Sequence, residues 1–253
     1  MPRATLKLTL SFGFVGIPCG LYTATDPQKV SFRMIHTKCL SRLNQVYHCA
    51  KCEETVPRDD IGKGYEDGDT IIPFSVGDLE TLDADQDKVL QITACVPFST
   101  VDPLYFEKSY YLGPEKDKAA HKAYVLFTAA LTESAFIAVG QLTMRGKEHI
   151  ALVRAHHNRL ILSTMFFADE VRDIQEIKAE AAILPAELAL AHQLVTSLQA
   201  PAFNPAIYAD HYRERVLAMI ESKRTGTDPE AAETPKAAPI TDLLAALRAS
   251  LAA

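Results

Sequence analysis

Residues Leu6, Leu8, Leu10, Phe12 and Phe14 alternate with Thr5, Lys7, Thr9, Ser11 and Gly13, the period-two pattern of a strand that buries one face. Ile17-Pro18 is expected to end it. Val30, Phe32 and Met34 alternate with Ser31 and Arg33 and predict a second strand that turns its basic residue away from the core. Further strands are predicted over residues 42–48, 70–74, 88–96, 136–145, 149–155 and 159–166, with one early helix over 121–132. So many strands with so little helix between them predict a mainly β protein, a barrel or sandwich, with helices added, rather than repeated βαβ units.

From Pro185 the period changes. Leu188, Ala191, Leu194, Val195 and Leu198 have helical spacing, and Asn204-Pro205 reads as an N-cap followed by proline at the first helical position. The apolar face of that second helix is expected to be Tyr208, Tyr212, Val216 and Met219. Residues 225–239 lack aromatics and large aliphatics and predict a linker. Beyond them Ile240, Leu243, Leu244, Leu247 and Leu251 fall on one face of a short helix, which is marginal alone in water and predicts a docking partner. The alternative is that this helix folds back on its own chain. The expected organisation is a core over 1–184 with an extended arm over about 26–70, a helical arm over 185–224, the linker, and a docking helix over 240–253. No internal repeat is evident.

Charge changes the picture by its distribution. The chain carries a net charge of −6, which excludes a generally basic coat. Yet Lys29, Arg33, Lys38, Arg42 and Lys51 occur without an acid between residues 29 and 52, whereas residues 66–87 hold eight acids and no base. Arg145, Lys147, Arg154 and Arg159 form a second basic cluster, interrupted by Glu148. No compact apolar leader opens the chain and no run is long and apolar enough for a membrane span, so a cytoplasmic location, on the nucleoid, and no membrane partner are expected.

Five cysteines are too few for a disulfide scaffold, and Cys39, Cys49 and Cys52 lie within fourteen residues. His36-x2-Cys39-x9-Cys49-x2-Cys52 has the spacing that lets two ligand pairs converge on zinc. Alternatively His48 supplies the fourth ligand, or only Cys49 and Cys52 pair. Four protein ligands leave no open position, so such zinc would be structural. Cys19 and Cys95 read as small buried side chains. No GxxxxGK[ST], GxSxG or HExxH occurs, and His149, His156 and His157 read as surface or core histidines. The chain is not expected to be an enzyme and no organic cofactor is expected. A zinc-dependent nuclease or hydrolase on the same four residues is the enzyme alternative.

SFGFVGIPCGLYTAT (residues 11–25) resembles the opening of bacterial Ku proteins. VDPLYFEKSYYLGPEK (101–116) with KAYVLFTAAL after it, RGKEHIALVR (145–154) and LILSTMFFADEVR (160–172) are similar to that family's later blocks. ELALAHQLVTSL and FNPAIYADHYRERVLAMIESKRTG resemble the end of its core, and LLAALRASL its terminal segment. The match runs in order over residues 5–226. It departs at Leu6 and Leu8, where the family commonly has tryptophan and glycine, and in a tail with two bases, Lys236 and Arg248, against four acids instead of a lysine-rich run.

The resemblance implies a β-barrel with an extended arm. Two copies would close a ring around duplex DNA ends, binding phosphates without sequence preference in non-homologous end joining of double-strand breaks. It places Lys29, Arg33, Lys38, Arg42 and Lys51 on the arm and Arg145, Lys147, Arg154 and Arg159 in the cradle under the duplex. It sets Tyr208, Tyr212 and Val216 against the other subunit, and it implies an ATP-dependent multifunctional ligase of the D type as the partner of the terminal segment. The alternative within the same fold is an end protector that blocks nucleases without recruiting a ligase.

Overall fold

The computed structural model describes residues 3–75, 77–78, 88–144, 146–174 and 181–226. Their chain falls into two units, one of residues 1–27 and 34–173 and one of residues 28–33 and 174–253.

In the first unit seven strands close a barrel. These are β1 (Leu6–Phe12), β2 (Val15–Thr23), β7 (Val89–Pro97), β8 (Phe106–Pro114), β9 (Phe136–Met144), β10 (Lys147–His156) and β11 (Arg159–Met165), in the order β1-β2-β8-β11-β10-β9-β7. Closure is made by β1 against β7, a parallel pair with Leu10 opposite Leu90; the other pairs are antiparallel. A closed sheet has no free edge, and its interior fills with alternate side chains. Leu10, Ile17, Cys19, Leu21, Leu90, Leu160 and Leu162 are almost wholly buried there. The barrel is thus the fold that the resemblance implies and one of the two, barrel or sandwich, that the strand density predicts.

Helix α1 (Lys118–Ser134) joins this core through Tyr124, Phe127 and Leu131. It starts at Asp117, whose carboxylate accepts from the Ala120 N–H at 3.0 Å, an N-cap that satisfies one of the free first-turn donors. The Tyr124 hydroxyl donates to the Leu112 carbonyl and accepts from the Leu160 N–H, each at 2.8 Å. One buried hydroxyl therefore ties the helix to β8 and β11.

The expected end of β1 at Ile17-Pro18 is not what forms. β1 ends at Phe12, the chain turns through Gly13 at φ +59, and β2 runs through Pro18. The tolerance has a physical reason: Thr9, opposite Pro18, donates its N–H to Lys88 on the other side at 2.8 Å, so this pair has no use for the donor that proline lacks. Cys95 is exposed rather than buried, beyond a register shift between Ile92 and Ala94. At that shift β7 crosses so close to Gly140 that a Cβ there would run into the Gln91 carbonyl oxygen.

Between β2 and β7 the chain leaves the barrel as two small hairpins, β3 (Tyr47–Cys49) with β4 (Glu54–Val56), and β5 (Lys63–Asp67) with β6 (Thr70–Phe74). The strand predicted at 70–74 forms. Those at 30–34 and 42–48 do not: Phe32 and Met34 are exposed, so no surface covers the alternation, and only the isolated bridge between Ile35 and Arg42 and the short β3 remain.

The second unit carries helices α2 (Pro185–Ser197) and α3 (His211–Thr225). Asn204 caps only the 3-10 turn Pro205–Ile207. Asp210 is the true cap of α3, accepting from the Arg213 N–H at 2.9 Å, so Tyr208 precedes the helix instead of lying on its face. Among the described residues no helix is long and apolar enough to cross a membrane. The predicted linker from residue 227 onward and the docking residues Ile240, Leu243, Leu244, Leu247 and Leu251 lie outside the described residues.

Candidate nucleic-acid interface

The excursion from the barrel carries the first basic group. Lys38, Arg42 and Lys51 are exposed on its first half, Lys38 and Lys51 in turns and Arg42 at the bridge opposite Ile35. Lys29 and Arg33 are also exposed but belong to the second unit. Acids enter directly after Cys52, Glu53 in the turn and Glu54 at the start of β4, and recur on the other hairpin, where Glu66 and Asp67 end β5.

Two ligand pairs lie among these cations. His36 Nδ1 stands 3.1 Å from Cys39 Sγ, and Cys49 and Cys52 hydrogen-bond to each other. Hydrogen bonds from the side chain and backbone of Ser41 hold the Cys39 thiol below its ordinary range. Backbone donors of Cys52 and Lys51 do the same for Cys49. Cys19 is the opposite case, its thiol pushed up to about 12 by burial, an inert core side chain. Among the described residues no three His, Cys, Asp or Glu side chains stand close enough together to hold a metal ion.

The second basic group rides on the β10–β11 hairpin. Arg154 pairs in register with Ile161, and His156 with Arg159. Directly opposed residues of an antiparallel pair share a face, and residues two apart on a strand do too, so both arginines stand on one face of the barrel. The row continues from Ile161 to Tyr111 on β8 and Tyr22 on β2, giving cations beside aromatic rings across four strands. Tyr22, Tyr111, Tyr124 and Arg159 line one cavity of about 390 Å³; Arg154, His156, His157, Phe98 and Phe136 line another of about 320 Å³. Partial desolvation, with His157 and Arg154 adjacent, lowers the His156 pKa.

Lys147 differs from these arginines. Its ammonium is hydrogen-bonded to Glu170, which raises the lysine pKa and lowers that of the glutamate, so both stay charged and the cation already has a partner. Arg145 lies outside the described residues. Tyr22 and Tyr111 were not singled out from the sequence. Recognising β2 as a strand would have found Tyr22, since alternation from the buried Leu21 turns it to the opposite face.

On the remaining predicted surface, Tyr212 and Tyr208 are 70% and 69% exposed. Tyr212, Val216 and Met219 follow helical spacing along α3, while Tyr208 stacks on Phe203 with ring centroids 6.1 Å apart.

Comparison with known proteins places this architecture. Residues 11–190 match the family model described as the Ku70/Ku80 beta-barrel domain. A protein of Desulfitobacterium hafniense named non-homologous end joining protein Ku is 36% identical over 248 residues, covering 97% of this chain and 86% of its own. The protein of that name from Solibacter usitatus is 38% identical, with 100% and 94% covered. That from Lachnoclostridium phytofermentans is 33% identical, with 97% and 95% covered. The barrel, its order of strands and this length of similarity have one reading: the chain belongs to the Ku family of non-homologous end joining proteins.

Proposed function

We propose that two copies of this chain form a ring that threads onto the ends of broken duplex DNA and holds them by their phosphates, acting in double-strand break repair by binding and not by catalysis. The observation that carries this reading is the long excursion between β2 and β7. From Lys29 to Cys52 it bears five cations and no acid, and almost every described residue on it is exposed. A segment that buries nothing of its own has its surface available for something outside the chain. Cations there and on the β10–β11 hairpin suit a phosphate backbone, whose neutralisation releases counterions whatever the base sequence. Tyr212, Val216 and Met219 supply an apolar stripe for the second copy.

The test is a band shift at fixed moderate salt, comparing a linear duplex with the same duplex closed into a small relaxed circle. Retention of the linear form alone is the expected result. Equal retention of both would reduce the protein to a general phosphate binder.

Recruitment of an ATP-dependent ligase of the D type rests on the apolar spacing of Ile240, Leu243, Leu244, Leu247 and Leu251. Removing residues 240–253 should abolish ligase stimulation while leaving end binding intact. If stimulation survives, the end-protector reading takes its place.

A further inference from the structure

Gly20 and Gly113 face each other across β2 and β8, and neither has room for a side chain while the ring of Tyr22 stays where it is. A Cβ on Gly113 would stand 3.0 Å from Cε2 of Tyr22, and one on Gly20 would stand 3.0 Å from its hydroxyl oxygen. Tyr22 therefore lies over a patch of bare backbone, and Gly20 is buried beneath it. Glycines inside strands weaken a sheet unless something packs into the space they leave. Here an aromatic ring does so, and is held in one place.

The ring belongs to a row. Tyr22 pairs with Tyr111 on β8, and Tyr111 with Ile161 on β11. One residue beyond the Leu160–Leu112 pair, the same ladder sets Arg159 alongside Gly113. Tyr22, Tyr111 and Arg159 line the cavity of about 390 Å³, and Tyr124 is its buried wall. The bonds of the Tyr124 hydroxyl to Leu112 and Leu160 fix that wall, so the site is formed before anything enters it.

We infer that this cavity takes one unpaired nucleotide of a DNA overhang, its base stacked on Tyr22 and Tyr111 and its phosphate on Arg159. The inference rests on the end-binding reading above and adds to it a preference for the form of the end.

Aromatic rings recognise a flat π-face. A base within a duplex has both faces covered by its neighbours and presents only edges in the grooves, whereas a base in an overhang leaves the stack at little cost and lays a face on tyrosine. Every base has such a face, so the selection is for single strands and not for sequence. Arg159 supplies a permanent charge whose planar fork matches phosphate oxygens. Among the described residues no carboxylate is paired with it, and Glu115, just past β8, is already engaged by Lys7 at 2.7 Å. The volume is at the lower end of the ~300–1,000 Å³ of small-molecule sites, enough for one nucleotide and too little for a duplex.

The test uses the full-length protein and one duplex in three forms: blunt, with a short oligothymidine 3′ overhang, and with the same overhang on the 5′ side, each overhang carrying one iododeoxyuridine. An overhang of one polarity should bind about tenfold more tightly than the blunt end, and irradiation should cross-link it to Tyr22 or Tyr111. Tyr111→Leu should bring that ratio to about one with blunt-end affinity unchanged, and Tyr111→Phe should keep it, because stacking needs the ring and not the hydroxyl. An unchanged melting temperature reports that both variants fold. Equal affinity for blunt and overhanging ends, or cross-links outside β2 and β8, overturns the assignment. Free thymidine monophosphate, equimolar with the DNA, should not displace the overhang; displacement would make the free nucleotide the ligand and overturn the overhang as occupant. Threading is judged separately: linear and circular duplexes retained alike, with the cross-link at Tyr111 intact, would defeat the ring and leave this site standing.

Discussion

The β1–β2 and β3–β4 hairpins use the same antiparallel ladder and end in opposite circumstances. In the first, Leu10, Ile17 and Leu21 are at most 1% exposed; in the second, Tyr47 is 49% exposed and no residue is buried. Strand pairing alone therefore does not distinguish them. The barrel hairpin is joined by five further strands and a helix, while the arm hairpin has three residues per strand and no buried residue on either of them. Short two-stranded ribbons are marginal in water. A region that orders itself through its own core can be read as structure, whereas one that does not keeps its surface open to solvent.

The widest separation between the two regions should appear in stability. Leu10→Ala removes a fully buried side chain and should cost about 2–5 kcal/mol in denaturant unfolding, whereas Leu43→Ala in the arm should stay within about 0.5 kcal/mol. A comparable loss from Leu43→Ala would mean the arm is part of the barrel's cooperative unit. If two copies pair through α3 as proposed, Tyr212→Asp should yield a monomer in sedimentation, by placing an unpaired charge in that interface at a cost on the order of 3 kcal/mol. Tyr208→Asp should do less, because Tyr208 lies outside α3. A Tyr212→Asp protein that stays dimeric would remove α3 from the interface.

Tyr124→Phe tests how the barrel is sealed. It leaves the Leu112 carbonyl and the Leu160 N–H without their buried partner and should cost about 1–3 kcal/mol, read as a lower melting temperature. In DNA binding, Lys38→Ala, Arg42→Ala and Arg154→Ala should each weaken all duplexes alike and flatten the salt slope by about one unit. Lys147→Ala should do less, its charge being held by Glu170. Four equal slopes would show that the ion pair opens on binding.

The smallest effect is in pH. The folded pKa of His156 lies below the ordinary 6.5, so as pH falls the unfolded chain takes up its proton first. The contribution of this group is full above about pH 6.5 and is lost as pH drops through the folded value. His156→Asn should remove that part of the acid-side decline in melting temperature.

How much was legible follows the same division. In β1 and in β9 from Ala138 onward period and burial coincide, because a closed wall gives each strand an inside, whereas residues 151–153 of β10 and 160–165 of β11 are buried on both faces and were marked by their apolar runs instead. Pro18 misled because the cost of a missing donor depends on which neighbour the nitrogen faces, a matter of register. Val30, Phe32 and Met34 misled because alternation predicts a strand only where something covers its apolar side. The spacing of His36, Cys39, Cys49 and Cys52 marked the pairs but not the turns that follow them, since Leu40 and Glu53 share the left-handed conformation, at φ +57 and +53, and no chemistry. Tyr22 escaped because β2 was not read as a strand, and the place of both tyrosines beside the arginines exists only after β2, β8, β11 and β10 are set in register.

The parallel pairing of β1 with β7 has a mechanical consequence. The arm departs from the end of β2 and returns at the start of β7, and β1 lies between those two strands, bonded to both. Tension on the arm is thus carried lengthwise along the ladders beside β1, seven register pairs to β2 and three to β7, whose hydrogen bonds must slip together instead of peeling apart one at a time. A load taken up by the arm would be delivered to the seam of a closed cylinder, the arrangement of a handle riveted through both sides of a stave.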